Sequence, residues 1–275
     1  MRGETSLNSD RETREKFASR LKAKKEGALR VATELYDFVA LLDENPRLER
    51  ALTEPSRSAQ DKGHLVDALL EGQADPLTVD ILKDLAGRDW SKVCHIANAV
   101  EDLSVDAAAY YTDSQGSTLR VSSELAEIHS ALIDLPLVLF RLSDEYSSPK
   151  ARVDLLLALI PFDRLHPVTK QLAVNATADL RGRRFLSTLM WLINRFSEHM
   201  NQVMVTVTTA VPLSDEQGDQ LVRLYGRQLG KPVHINSVVD PSVMGGMKIQ
   251  YGSLVKDTTV VAQLQKLKRY MSMVG

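Results

Sequence analysis

The residues able to do chemistry are few, and their spacing does not assemble a reaction centre. Six histidines, His64, His95, His129, His166, His199 and His234, are scattered along 275 residues. None forms an HExxH run or a pair at ligand spacing, as a zinc site of the ordinary kind needs. Cys94 is the single cysteine and falls in a helical stretch, where it reads as a small buried hydrophobe. The acidic pairs Asp43-Glu44 and Glu101-Asp102 read as solvated residues on helix surfaces. Gly245-Gly246 invites a phosphate-loop reading, but no GxGxxG or GxxxxGK[ST] surrounds it. The pair also leads into a strand, whereas an anion site needs a helix N-terminus. A hairpin turn is the expectation there, and no cofactor or metal is expected anywhere.

The elements that hold these residues are mostly helical. Leu and Ala are abundant and aromatics make up 5%, a helix-leaning composition. Hydrophobic residues at 44% and charged residues at 25% fit a globular chain of two or three domains. One cysteine allows no intrachain disulfide, so a reducing, cytosolic-side location is expected. The charged N-terminus lacks the apolar core of a secretory signal, and no run of about 18 apolar residues could span a membrane. Net charge is −2, but residues 1–30 carry nine Lys/Arg against five Asp/Glu, and 201–275 carry eight against five. The middle is therefore acidic, which suits either solvated surfaces or complementary docking with partners. No basic patch is interleaved with aromatics, which disfavours nucleic acid.

Val31, Leu35, Phe38, Val39 and Leu42 form one apolar helical stripe, and ninety positions later Val121, Leu125, Ile128, His129 and Leu132 repeat it. Both stripes run into a helix-ending proline, Pro46 and Pro136. The parallel continues: Lys62, Leu65 and Leu69 with Lys150, Val153 and Leu157; Pro76 and Thr78 with Pro167 and Thr169; Gly87, Arg88 and Trp90 with Gly182, Arg183 and Phe185. The pattern predicts two copies of one helical unit, each closed by a long helix, over Trp90–Tyr110 and Phe185–Val203. A polar linker, TDSQGS, separates them.

At Val203 the texture becomes β-branched and alternating. Pro212 ends the first strand. Ser214 and Gln217 predict a capping box opening a helix with Leu221, Leu224, Tyr225 and Leu229 inward, stopped by Gly230. Strands follow at VHINSVVD and MKIQYGS, with Leu254-Val255-Lys256 continuing or re-entering the sheet. Asp257 is placed to cap a last helix reaching Met273, with Val261, Leu264, Leu267 and Met271 inward. The expected fold is mainly α: two small duplicated helical bundles, then a small α/β domain in the order strand-helix-strand-strand-helix. The boundaries are a charged N-terminal helix or leader at 1–27, an extra bundle at 28–115, a second bundle at 116–202 and the α/β domain at 203–275.

Three signatures stand in order in the C-terminal part: Ala210-Val211-Pro212-Leu213-Ser214-Asp215-Glu216-Gln217, then Val239-Asp240-Pro241-Ser242-Val243-Met244-Gly245-Gly246, then Asp257-Thr258-Thr259-Val260 with Leu264 and Leu267. With them this part resembles the ATP synthase delta family, called the oligomycin-sensitivity-conferring protein in mitochondria. Within the signatures Pro212, Ser214, Gln217, Asp240, Pro241, Gly245, Gly246 and Asp257 mark structure, not reactivity. About 155 residues resemble the ordinary family, and residues 28–110 match through their likeness to the second copy. The resemblance implies a non-catalytic stator subunit, one copy per complex, peripheral on the cytoplasmic face of the bacterial membrane. It implies a helical domain that binds N-terminal helices of alpha subunits and a C-terminal domain that grips the b subunits of the peripheral stalk. Leu35, Phe38 and Leu42, or Leu125, Ile128 and Leu132, are then either groove-lining or ordinary core positions. Two bundles raise the expectation of two alpha N-termini. The N-terminal charged segment is either a helix reaching the b stalk or a frayed leader, and Lys266, Lys268 and Arg269 are candidate stalk contacts. The alternatives are a general helical adaptor and a nucleotide-binding protein.

Overall fold

The computed structural model describes residues 3–70, 72–252, 254–264 and 266. The chain divides into two compact units, Met1–Ser117 and Thr118–Gly275. In the first, α1 (Glu4–Lys24) leads through a short 3-10 turn into α2 (Ala28–Glu44), followed by α3 (Pro46–Thr53), α4 (Ala59–Leu70), α5 (Pro76–Ala86) and α6 (His95–Ser114). Proline opens α3 and α5 at the first helical turn, where its missing N–H costs nothing. The α2 stripe packs against α6, burying Val31, Leu35, Phe38, Val39 and Leu42.

The N-terminal segment is a packed helix. Although largely polar, α1 buries Phe17, Leu21 and Thr13 against the unit and lies on α6 and α5. Its cations meet a row of acids: Arg14 with Asp106 at 2.7 Å, Lys16 with Asp84 at 2.5 Å, Arg20 with Asp80 at 2.6 Å and Lys24 with Asp75 at 2.8 Å. The reading of Glu101 and Asp102 as solvated is corrected: both are buried, and Arg14 of α1 lies near Asp102. The closing helix also differs from expectation. It starts at His95, not Trp90, and runs into the expected linker as far as Ser114. The Trp90 indole donates to the Leu85 carbonyl at 3.0 Å, which fixes the preceding turn instead. Cys94 sits exposed at the start of α6, against the expectation of burial.

The second unit repeats this plan with α7 (Thr118–Leu132), α8 (Pro136–Leu142), α9 (Pro149–Leu159), α10 (Pro167–Ala178) and α11 (Phe185–His199), then adds a sheet. β1 (Val203–Thr209), α12 (Asp215–Leu229), β2 (Val233–Val239), β3 (Met247–Tyr251) and β4 (Leu254–Asp257) follow. The strand order is β2-β1-β3-β4, with β1 parallel to β2 and antiparallel to β3. β1 and β2 pair from Val203↔Val233 to Thr209↔Val239.

Alternation sends Val205 and Val207 to one face, where Leu221 and Tyr225 of α12 cover them. α7 and α11 pack on β1 from the rest of the unit. Ser214 and Gln217 form the expected capping box, and Gly230 closes α12 in the left-handed region at φ 65°. Leu224 departs from its inward expectation: it is 57% exposed, and only every fourth residue, Leu221 and Tyr225, reaches the sheet deeply.

Two further expectations are corrected. The Asp240–Gly246 segment is not a hairpin turn, because β1 lies between β2 and β3. It is a crossover built on a 3-10 turn, Pro241–Val243, with the Asp240 carboxylate accepting from the Ser242 N–H. Gly246 is required there: φ is +75°, and a Cβ would lie 2.5 Å from the Thr258 carbonyl. Asp257 ends β4 and accepts from the Thr259 N–H, while the Thr259 hydroxyl accepts from Ala262 N and caps the following helix. That helix is described over 260–264 and at 266. Its expected continuation through Leu267 and Met271 to Met273, with Lys268 and Arg269, lies outside the described residues.

Candidate interaction surfaces

The two copies share a polar clasp, half-buried in the first and buried at Glu124 in the second, that sequence matching did not single out. In the first, the Glu34 carboxylate on α2 accepts from the Asp75 N–H at 2.9 Å and the Thr78 hydroxyl at 2.6 Å, and pairs with Arg30 at 2.7 Å. In the second, Glu124 on α7 accepts from the His166 N–H at 2.9 Å and the Thr169 hydroxyl, and pairs with Arg120 at 2.8 Å. Asp75 and His166 occupy the same N-cap and each accepts from the N–H two residues on, Leu77 and Val168. A carboxylate anchored this way ties the first helix of a bundle to its fourth. The clasp also corrects one pairing. With Arg30 aligned on Arg120, the buried Lys62 corresponds to the buried Arg152 and the buried Val66 to the buried Leu156; the expected match of Lys62 to Lys150 is two residues out of register.

Some equivalent faces have diverged. Asp80 and Asp84, which hold α1, correspond to Gln171 and Asn175 on α10. Val39 corresponds to His129, which is 4% exposed. There Gln250 Nε2 donates to His129 Nδ1 at 2.8 Å, and Lys248 pairs with Asp134 at 2.5 Å, so one polar contact joins α7 to β3 and a second joins the turn after α7 to the same strand. Burial, and then the charge of Lys248, pushes the His129 imidazole down to about 4, so it stays neutral. Nearby, burial followed by the charge of Glu124 raises Glu127 above the usual carboxylate range. Beside this join, a cleft of about 340 Å³ is lined by Glu127, Asp134, Asp240 and Asp257 together with Val238 and Val243.

The candidate groove residues lie elsewhere. Leu35, Phe38, Leu42, Leu125, Ile128 and Leu132 are all buried within their bundles. Exposed apolar surface gathers instead around α8: Leu137 is 82% exposed, Phe140 66%, and Tyr146 fully exposed in the α8–α9 loop. Phe140 and Tyr146, with Leu139, border a groove of about 800 Å³ that continues to Leu186 on α11. Helical periodicity misses this face because it covers two turns of a seven-residue helix. The signal available was the apolar run PLVLF beside its charged counterpart PRLER. Among the described residues no group of His, Cys, Asp and Glu is arranged to hold a metal, and no helix is long and apolar enough to cross a membrane.

The profile of the ATP synthase delta (OSCP) subunit matches this chain in two segments, 20–111 and 105–271. The chain belongs to the ATP synthase delta family. The double match fits the repeated clasp and marks a long form of the family. The ATP synthase subunit delta of Bifidobacterium adolescentis is 52% identical over 269 residues, covering 98% of both chains. That of Streptomyces griseus is 31% identical over 249 residues, covering 89% of this chain and 90% of its own. A chain of the Toxoplasma gondii mitochondrial ATP synthase hexamer is 17% identical, with a TM-score of 0.33 over 61% of this chain and 94% of that one, too distant to carry an argument. Members of the delta family are structural subunits of ATP synthase without a reaction centre.

Proposed function

We propose that this chain joins the top of the catalytic alpha/beta head to the peripheral b stalk and holds the stator against rotor torque during proton-driven ATP synthesis. The family match carries this reading, since it runs through both bundles and the α/β region. In this reading the helical part, about 28–115 and 116–202, faces the N-terminal helices of alpha subunits, and the α/β region, 203–275, faces the b subunits. The chain works at the cytoplasmic face of the membrane, held there by the complex, with one copy per enzyme. Support comes from the design of the second unit, where the buried Gln250–His129 contact, the surface Lys248–Asp134 pair and direct packing of α7 and α11 on β1 leave few free joints between bundle and sheet. The test is to strip membranes of this subunit and add the purified chain back. Restored ATP-driven proton pumping supports the connector role. Failure to rebind both the head and the b dimer would refute it.

A further inference from the structure

The first two helices of the chain are held by different physics. Every side chain that α2 buries is apolar, from Ala28 to Leu42. Of those that α1 buries, Ser6, Ser9, Asp10 and Thr13 are polar and only Phe17 and Leu21 are apolar. Its seam is closed by polar contacts. The Ser9 hydroxyl donates to the Asp89 carbonyl at 2.8 Å, the Thr13 hydroxyl donates to the Asp84 carboxylate at 2.8 Å, and Glu12 pairs with Arg88. Together with the pairs onto Asp75, Asp80, Asp84 and Asp106, these are groups that water can take over at little cost. A helix with so few buried apolar contacts opens at lower free energy than the core it covers.

The junction to α2 points the same way. α1 ends at Lys25, whose backbone stands at φ 50° and ψ −121°. Glycine adopts that conformation freely, whereas a residue with a Cβ is strained in it. The glycine of this junction is Gly27, where φ −65° and ψ −16° would suit any residue. Lys24, Gly27 and Ala28 are all in the right-handed helical region. Lys25 therefore interrupts the run Lys22-Ala23-Lys24-Lys25-Glu26, whose residue types are all good helix formers. Local propensity and the closed geometry pull in opposite directions there.

We propose that α1 is a hinged strap. Rotating Lys25 into the right-handed region joins α1 and α2 into one helix from Glu4 to Glu44. The same motion uncovers the α5 and α6 face with Asp80, Asp84 and Asp106, while the bundle stays folded. Relief of strain at Lys25 offsets part of what Phe17 and Leu21 lose to water, so the open form is a minor state that the closed chain visits. The strap is a property of the free chain, beyond the connector reading and independent of it.

Hydrogen exchange of the full chain, read segment by segment, is the first test. Amides within 4–24 should exchange at least about tenfold faster than those of α2 and α6, and faster again as salt screens the ion pairs. The K25G variant accepts the closed geometry without strain and weakens the open helix. It should slow exchange within 4–24 by roughly tenfold and leave α2 and α6 unchanged. K25A removes the charge but keeps the strain, and should exchange like the wild type. The helical junction is read from the distance between nitroxide labels on N8C and the native Cys94. Both positions are exposed, and Ser6 and Ser9 lie against Ser91 and Asp89, so the closed chain gives a short distance. F17E/L21E cannot bury α1. A narrow and much longer distance is expected there, because α1, about 30 Å long, then continues the axis of α2 instead of lying beside α6. Exchange within 4–24 as slow as in α2 would overturn the proposal, as would a K25G chain that exchanges like the wild type. In F17E/L21E a broad distance distribution would overturn the continuous helix, and an unchanged short distance would show that α1 does not detach. Loss of protection in α2 and α6 of the same variant would also overturn it, by making α1 part of the core.

Discussion

Acid should loosen the second unit through one side chain. His129 is buried, neutral, and accepts from Gln250, with its imidazole held near 4 instead of 6.5 by burial and by Lys248. In the unfolded chain the same ring takes up its proton near 6.5. Between these values the unfolded state binds more protons, so stability falls as pH drops from 6.5 towards 4 and is flat above 6.5. At about 1.4 kcal/mol per tenfold change, this window removes about 3 kcal/mol. The His129→Val variant carries the side chain that the first copy has at Val39. It leaves the Gln250 amide without its acceptor, a loss of about 1–3 kcal/mol at every pH, but it removes the slope. Burial also lowers His166 and His234, so the measured quantity is the difference between the two proteins. Urea unfolding in a Trp90→Phe background, with Trp191 on α11 as the reporter, measures it from pH 7 to 4.5. Parallel stability curves for wild type and variant would refute the argument.

Three other outcomes follow from the geometry. Glu124→Ala should destabilise the second bundle by about 2–4 kcal/mol, because the Thr169 hydroxyl, the His166 N–H and Arg120 lose a buried partner together; a change within 0.5 kcal/mol by urea unfolding would contradict the clasp. Gly246→Ala should cost at least about 1–3 kcal/mol through its positive φ and the approach of the Thr258 carbonyl, read as a lower melting temperature. Burial raises Asp84, but hydrogen bonds from Lys16, Arg88 and Thr13 outweigh it and leave its carboxyl below the usual range. Its contribution is therefore present above the ordinary carboxylate value and lost as pH falls through the folded one. Asp84→Ala should free α1 to limited proteolysis at pH 7, and unchanged cleavage within residues 4–24 would count against its anchoring role.

The sequence made the helical repeat and the α/β order readable because both rest on periodicity and capping. Pro46, Pro136, Ser214, Gln217 and Gly230 act locally, and their structures follow from one turn of chain. What stayed hidden depends on distant partners. Asp102 looks solvated until α1, some ninety residues earlier, packs on α6 and brings Arg14 near it. Lys62 reads as a surface lysine, so only its burial sets the register with Arg152. The order β2-β1-β3-β4 is a choice between strand pairings that alternation does not encode. The groove expectation placed on Leu125 and Ile128 followed the strongest stripe, and a strong stripe marks a core first. The exposed α8 face was legible only by comparison with its charged twin.

The place of β1 in the sheet has a mechanical consequence. The strand follows α11 after a three-residue turn and is bonded on both sides, over seven pairs to β2 and four to β3. Tension arriving from the bundle enters β1 along its own axis at Val203. The flanking ladders then bear it in shear, many bonds stretching at once, instead of opening one by one like a zip. A linkage strained at every rotor step gains most from that arrangement, since rupture would require the whole strand to slide.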